Sequence, residues 1–253
     1  MGTIIAVANQ KGGVGKTTTV INLGASLAAA EKRILLVDFD PQSNCTSGLG
    51  VSSPDGRNVY GCLSGSAGPE EVLVSCGLPN LQLLPGAVSL AGAEVELAGV
   101  PQREFVLRNL LGPLKDRYDY ILVDCPPSLG LLTLNALVAA DGVLIPIQAE
   151  FFAMEGVSLL LRTLERVRES LNPELAVTGV LLTMVDERTN LARQVSAEVQ
   201  RFFGGRVFRA SIPRNVKLAE APSFGKPALL YDVASRGAQA YLHVAKEFLS
   251  HEP

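Results

Sequence analysis

Four cysteines are scattered through 253 residues, and no two of them fall in a C-x-x-C pair. Cys45, Cys62, Cys76 and Cys125 therefore supply no redox couple, no zinc ligand set and no pattern for a bridging iron–sulfur cluster. Packing is the role left to them. A basic excess is missing as well: 22 Lys and Arg against 25 Asp and Glu leave a net charge of −3. That excludes a chain that coats nucleic acid by its overall charge, so any DNA contact has to come from a local patch. No apolar run approaches the roughly 20 residues of a membrane span, and the stretch from Leu129 to Ala140 is broken by Gly, Thr and Asn. The N-terminus runs directly into an apolar strand and reaches a glycine loop by Gly12, which leaves no room for a signal peptide. The expected location is the cytoplasm.

What is present is a regular alternation. Thr3–Ala8, Ile34–Asp38, Leu81–Leu84, Tyr120–Asp124, Gly142–Ile147 and Val177–Thr183 read as strands. Their continuous apolarity marks them as buried on both faces. Helices are expected between them at Lys16–Ala30, Arg103–Lys115, Leu131–Ala140, Met154–Ser170, Leu191–Phe203 and Ser235–Ser250. This βαβ pattern predicts an α/β fold, a mostly parallel sheet flanked by helices on both faces, in a single domain over 1–253. The Gly-, Ser- and Pro-rich stretch Gly48–Gly68 reads as an irregular excursion. In such sheets ligands sit beyond the C-terminal strand ends, so the residues after each strand carry the functional reading.

After the first strand comes Asn9-Gln10-Lys11-Gly12-Gly13-Val14-Gly15-Lys16-Thr17-Thr18, then a helix. Glycines let backbone N–H groups turn inward around phosphate oxygens, and the helix N-terminus adds partial positive charge. Lys16 is expected to reach the β- and γ-phosphates and the Thr17 hydroxyl to ligate Mg²⁺. Gln10 stands where the standard phosphate loop has glycine, and a second lysine, Lys11, follows it. The second strand ends in Asp38-Phe39-Asp40-Pro41, with two carboxylates at i and i+2 that can point the same way toward a metal and phosphate. Asp124 closes the apolar run from Tyr120 to Val123, the form of a carboxylate that supports Mg²⁺, usually through a water.

The loop resembles the deviant Walker A motif, K-G-G-x-G-K-T-[ST], of the ParA, MinD and nitrogenase-iron-protein group. By that resemblance Lys11 crosses a homodimer interface to the partner's nucleotide, and Asp40 positions or activates the attacking water. Toward the end, Ile212-Pro213-Arg214-Asn215-Val216-Lys217-Leu218-Ala219-Glu220-Ala221-Pro222-Ser223 and Gly225-Lys226-Pro227 resemble the signature of chromosomal ParA or Soj proteins. The resemblance implies an ATPase that cycles between ATP and ADP, with Pro213 and Asn215 against the adenine. It also implies DNA binding through Arg188 and Lys217 and a ParB- or Spo0J-like partner that stimulates slow hydrolysis. The implied role is chromosome or plasmid segregation on the nucleoid. Because the loop begins at residue 11, the short form without an N-terminal helix-turn-helix is expected.

From Arg188 to Lys226, eight Lys or Arg accompany only two acids, Glu198 and Glu220. A local basic surface is what sequence-independent phosphate binding requires, and Arg193, Arg201 and Arg206 are further candidates. No aromatic stacking array or base-reading motif accompanies them, so the expected partner is non-specific double-stranded DNA. Two other readings share the loop. A MinD-like membrane-positioning ATPase ends in a basic amphipathic helix, whereas the last helix here carries only Arg236 and Lys246 as fixed cations. An ATP-dependent synthetase needs substrate-binding residues for which the sequence shows no surplus set.

Overall fold

Among the described residues seven strands make one sheet: β1 (Thr3–Val7), β2 (Ile34–Asp38), β3 (Val74–Ser75), β4 (Leu81–Leu84), β5 (Tyr120–Asp124), β6 (Gly142–Gln148) and β7 (Ala176–Thr183). The computed structural model describes residues 2–53, 56–150, 153–186 and 188–250. The strands lie in the order β3-β4-β2-β5-β1-β6-β7. Every pairing is parallel except β3 with β4.

Strand alternation explains why the runs are apolar throughout. Ile4 and Ala6 of β1, Leu35 and Val37 of β2, and Ile121 and Val123 of β5 face one layer. There they meet Leu107, Leu132, Leu160 and Val195 from the helices Val106–Leu111, Leu131–Ala139, Ala153–Ser170 and Asn190–Phe203. Ile5, Val7, Ile34, Leu36 and Leu122 face the other layer, formed by the first helix, Lys16–Ala29, and the last, Arg236–Ser250. Each fully buried Leu or Ile adds about 1.5–3 kcal/mol of transfer free energy, so both faces specify the register.

Register also positions the chemistry. Asp38 pairs with Asp124 across β2 and β5, and Val7 pairs with Asp124 across β1 and β5. The glycine loop, both aspartates and the exit of β7 consequently collect beyond the C-terminal ends of the strands, around the point where the chain switches from building one flank of the sheet to the other.

The strands and long helices agree with the sequence reading to within one residue at most ends. The expected helix Arg103–Lys115 is divided into a 3-10 turn at Arg103–Phe105, an α-helix at Val106–Leu111 and a 3-10 stretch at Gly112–Arg117. Pro113 has no N–H to donate into a helix, which accounts for the break. The two-residue strand β3 and the helices Asn44–Gly48, Pro69–Val72 and Leu90–Glu96 were not legible as elements. Within the excursion Gly48–Gly68, Asn58 caps a single turn at Val59–Leu63 by accepting from the Gly61 N–H; positions 54 and 55 lie outside the described residues. Cys45, Cys76 and Cys125 are buried and Cys62 is half-buried, all as free thiols.

Candidate nucleotide-binding site

The glycine loop is tied down on both sides by residues distant in sequence. The Asn9 side-chain amide donates to the Pro146 carbonyl at 2.7 Å and its oxygen accepts from the Lys11 N–H at 3.0 Å. The Thr183 hydroxyl, at the end of β7, donates to the Val14 carbonyl at 2.8 Å. Gly13 and Gly15 take φ of 73° and 87°, a left-handed conformation that strains residues with a Cβ. Gly15 at the N-cap of the first helix brings no side chain to its leading N–H groups. That geometry suits an anion.

Lys16 is only 7% exposed, and its Nζ donates to the Lys11 carbonyl at 3.2 Å. Burial lowers its pKa, while Asp124, Cys125 and Asp40 pull it back up. Asp124 is fully buried, and its carboxylate oxygens have no well-formed hydrogen bond among the described residues, the Thr17 side chain acting on them only as a weak donor. Burial, then the neighbouring Asp38, push its pKa well up, against Thr17 and Lys16. A buried acceptor this poorly partnered carries a desolvation cost that a cation or its water shell offsets. Among the described residues no three His, Cys, Asp or Glu side chains converge as a closed cage. An open oxygen set of Thr17, Asp40 and Asp124 fits Mg²⁺, which keeps waters and takes substrate phosphates as ligands.

The two aspartates after β2 do not share one task. Asp38 accepts from the Thr46 N–H at 2.8 Å and from the Thr46 hydroxyl at 2.6 Å, and that hydroxyl accepts from the Gly86 N–H at 2.8 Å. Burial raises the Asp38 carboxyl to about 6, with the Thr46 bonds opposing the rise. A Cβ on Gly86 would stand 2.7 Å from the Asp38 carboxyl carbon, so the glycine makes room for this internal strut. Asp40, 6% exposed, spends one oxygen on the Gln42 N–H at 2.9 Å and stands among the charges that act on Lys16 and Asp124.

Beside the loop opens a cavity of about 410 Å³, with Gly15, Thr18, Met184, Pro213, Asn215 and Tyr241 in its lining. The 212–215 segment is held to β7: the Ile212 N–H donates to the Leu182 carbonyl at 2.8 Å, and the Val185 N–H donates to the Ile212 carbonyl at 3.0 Å. The Asn215 side chain accepts from the Lys217 N–H at 2.9 Å and caps the turn Val216–Glu220. Fully buried Tyr241 shares a hydrogen bond of 3.1 Å with the Thr19 hydroxyl. Sequence reasoning missed Tyr241, Thr183 and Asn9. The signal available for Tyr241 was a polar aromatic on the apolar face of the last helix, whose hydroxyl needs a partner when buried.

Lys11 stands at the mouth, its side chain 35% exposed, with Nζ 3.3 Å from Glu150. Glu150 also takes the Arg214 guanidinium at 3.3 Å and the Gln148 amide. The expected DNA-binding cations are likewise tethered. Arg188, 90% exposed, donates through Nε and Nη2 to Asp186 at 2.8 and 2.7 Å, which holds the Asp186 carboxyl down at about 2. Lys217 lies 2.9 Å from Glu220 and 5.4 Å from the centre of the Tyr231 ring. Arg193 donates to the Asn190 side chain at 2.6 Å.

Residues 2–177 match a family model described as an AAA domain. The chain is 54% identical over 248 residues to the sporulation initiation inhibitor protein Soj of Bacillus subtilis, covering 98% of each. It is 50% identical over 252 residues to the chromosome-partitioning ATPase Soj of Treponema pallidum, covering 100% of this chain and 99% of that one. It is also similar to the solved structure of cobyrinic acid a,c-diamide synthase from Mycobacterium smegmatis with bound ATP analogue and magnesium. The TM-score there is 0.86, at 39% identity, over 99% of this chain and 96% of that one.

Proposed function

The chain belongs to the Soj/ParA family of chromosome-partitioning ATPases, and from that premise we propose that it is an ATP-switched dimer that binds double-stranded DNA without sequence preference. The observation that carries the reading is the division of labour between two lysines on one loop. Lys16 is buried inside it and Lys11 waits at the mouth on Glu150. The ion pair with Glu150 holds Lys11 away from its own loop, which supports the reading that it serves a second copy's nucleotide.

In this account the backbone from Gly12 to Gly15 and the Thr17 and Thr18 side of the helix N-terminus cradle the phosphates, while Pro213 and Asn215 border the base. Bound Mg²⁺ supplies charge that neutralises the phosphates, and Thr17, Asp40 and Asp124 are the residues that hold it or its waters. Asp40 orients a water in line with the γ-phosphate, the bond to the β-phosphate oxygen breaks, and ADP and phosphate result. Lys16 and the partner copy's lysine at position 11 neutralise the charge that spreads over the transferred oxygens. Little covalent chemistry is asked of the protein, in keeping with a slow switch whose turnover a ParB-like partner stimulates. Arg188 and Lys217 exchange their carboxylates for DNA phosphates, and dimerisation doubles that surface.

The test is binding to arbitrary duplex DNA with ATP, with ADP and with neither, alongside light scattering. ATP-dependent dimers with salt-sensitive DNA binding support the reading. ATP-driven dimers indifferent to DNA overturn it.

Similarity to the diamide synthase favours one rival, an ATP-dependent synthetase that activates a small carboxylate. Under that reading a small-molecule acid stimulates ATP turnover more than DNA with a ParB-like protein does. As for a membrane role, no helix among the described residues is long and apolar enough to cross a bilayer.

A further inference from the structure

A second cavity, of about 720 Å³, lies against the base pocket and shares Pro213 and Arg214 with it. Three separate chain segments bring basic and hydrogen-bonding groups to its wall: Arg188 after β7, Arg214, and Arg236, Gln239 and His243 of the last helix. The helix contributes by periodicity. It buries Gly237, Ala238, Tyr241, Val244, Ala245 and Phe248 against the sheet, which turns positions 236, 239 and 243 to one outward face.

Among the described residues the lining of the cavity carries more basic than acidic groups: Asp186 is the one carboxylate of the described lining, and it is already paired with Arg188. Arg214 reaches out of the cavity to Glu150. Arg236 makes no ion pair with any described residue. Guanidinium groups offer planar forks of donors that match phosphate oxygens, and the exposed Arg188 joins the cavity to the outer surface.

We propose that this cavity is a second phosphate subsite of the DNA-binding surface, anchored by Arg236 with Gln239 and His243 as further donors. The inference rests on the DNA-binding reading above and extends it from the loop after β7 onto the last helix. Because Pro213 and Arg214 form a common wall, occupancy of the base pocket and of this subsite are mechanically adjacent. The shared chemistry is a phosphate oxyanion, whose source is either the DNA backbone or free inorganic phosphate.

Affinity of the ATP-bound wild type, Arg236→Ala and Arg162→Ala for a short arbitrary duplex is to be measured over a salt series, with light scattering to check that each variant still forms its dimer. Arg162 lies on the helix that covers the opposite sheet face and removes the same charge. Because the substitution is carried by both subunits of the dimer, losing one phosphate contact from each lowers the slope of log affinity against log salt by about 2. That reduction, in Arg236→Ala but not in Arg162→Ala, is the expected result. An unchanged slope in Arg236→Ala, or an equal reduction in Arg162→Ala, overturns the subsite. So does calorimetric binding of inorganic phosphate that Arg236→Ala abolishes while the DNA slope stays intact, which would mark a small-anion site. Wild-type protein that binds no duplex at all instead removes the underlying DNA-binding reading.

Discussion

The phosphate cradle and the basic surface use the same residue types under opposite physical conditions. In the cradle, Lys16, Asp38 and Asp124 are almost wholly buried, burial and then Asp38 raising the pKa of Asp124, and Asp124 opposing the lowering that burial imposes on Lys16. On the surface, Arg188 and Lys217 are paired with Asp186 and Glu220 in contact with solvent. Exposed ion pairs of that kind contribute little stability and are screened by salt. The contrast teaches that a buried constellation is fixed by strand register and tolerates almost no change. A surface constellation is a set of exchangeable partners, in which a phosphate can replace a carboxylate.

The largest effect expected of that difference lies in the cradle. Lys16→Ala should lower ATP turnover by at least about 10³-fold, the scale of a lost cation at a transferring phosphoryl group, and Asp40→Ala by at least about 10²-fold with ATP binding retained. Steady-state phosphate release and nucleotide-binding measurements check both. A loss below tenfold for either would mean that burial there serves folding and not chemistry. The supports of the cradle come next. Thr183→Val removes the donor to the Val14 carbonyl and should cost about 1–3 kcal/mol in chemical denaturation, and Gly86→Ala, which crowds Asp38, a similar amount.

Smaller is the change expected on the surface. The double variant Arg188→Ala, Lys217→Ala should keep its ATP-driven dimerisation while its salt slope for duplex DNA falls by about 4, two contacts from each subunit. Normal, salt-sensitive DNA affinity in that variant would place the interface elsewhere. The smallest change is a single titration. With Arg188 present, the Asp186 carboxyl is held at about 2, below its unfolded value. The stabilisation from the pair is therefore complete above about pH 4 and is lost as pH falls toward 2. In Arg188→Ala, Asp186 should return toward an ordinary carboxylate pKa of about 3.9, as NMR titration of its side chain would record.

The two regions also differ in how far they could be read in advance. Double burial forces β1, β2 and β5 to be apolar throughout, and glycine spacing with Lys16 and Thr17 announces a phosphate loop, so the sheet and cradle were legible locally. Their supports were not, because they are long-range: Thr183 bonds a carbonyl 169 positions away and Tyr241 a hydroxyl 222 away. Spacing placed Asp38 and Asp40 on one side, yet Thr46 and Gly86 claim Asp38 for the interior. On the surface, the sequence reading counted the cations from Arg188 to Lys226 correctly but could not assign each its carboxylate. Glu150 likewise emerged only when the exit of β6 was seen beside the loop mouth.

The central claim is that Lys11 leaves Glu150 to act on the partner copy's nucleotide. Turnover of a mixture of Lys11→Ala and Asp40→Ala subunits, each inactive alone, tests it most directly. In a mixed dimer the Lys11→Ala subunit keeps its own Asp40 and receives Lys11 from its partner, so the account predicts that activity reappears on mixing. If mixing restores nothing while mixed dimers are seen to form with ATP, Lys11 acts on its own subunit's nucleotide and the account is contradicted.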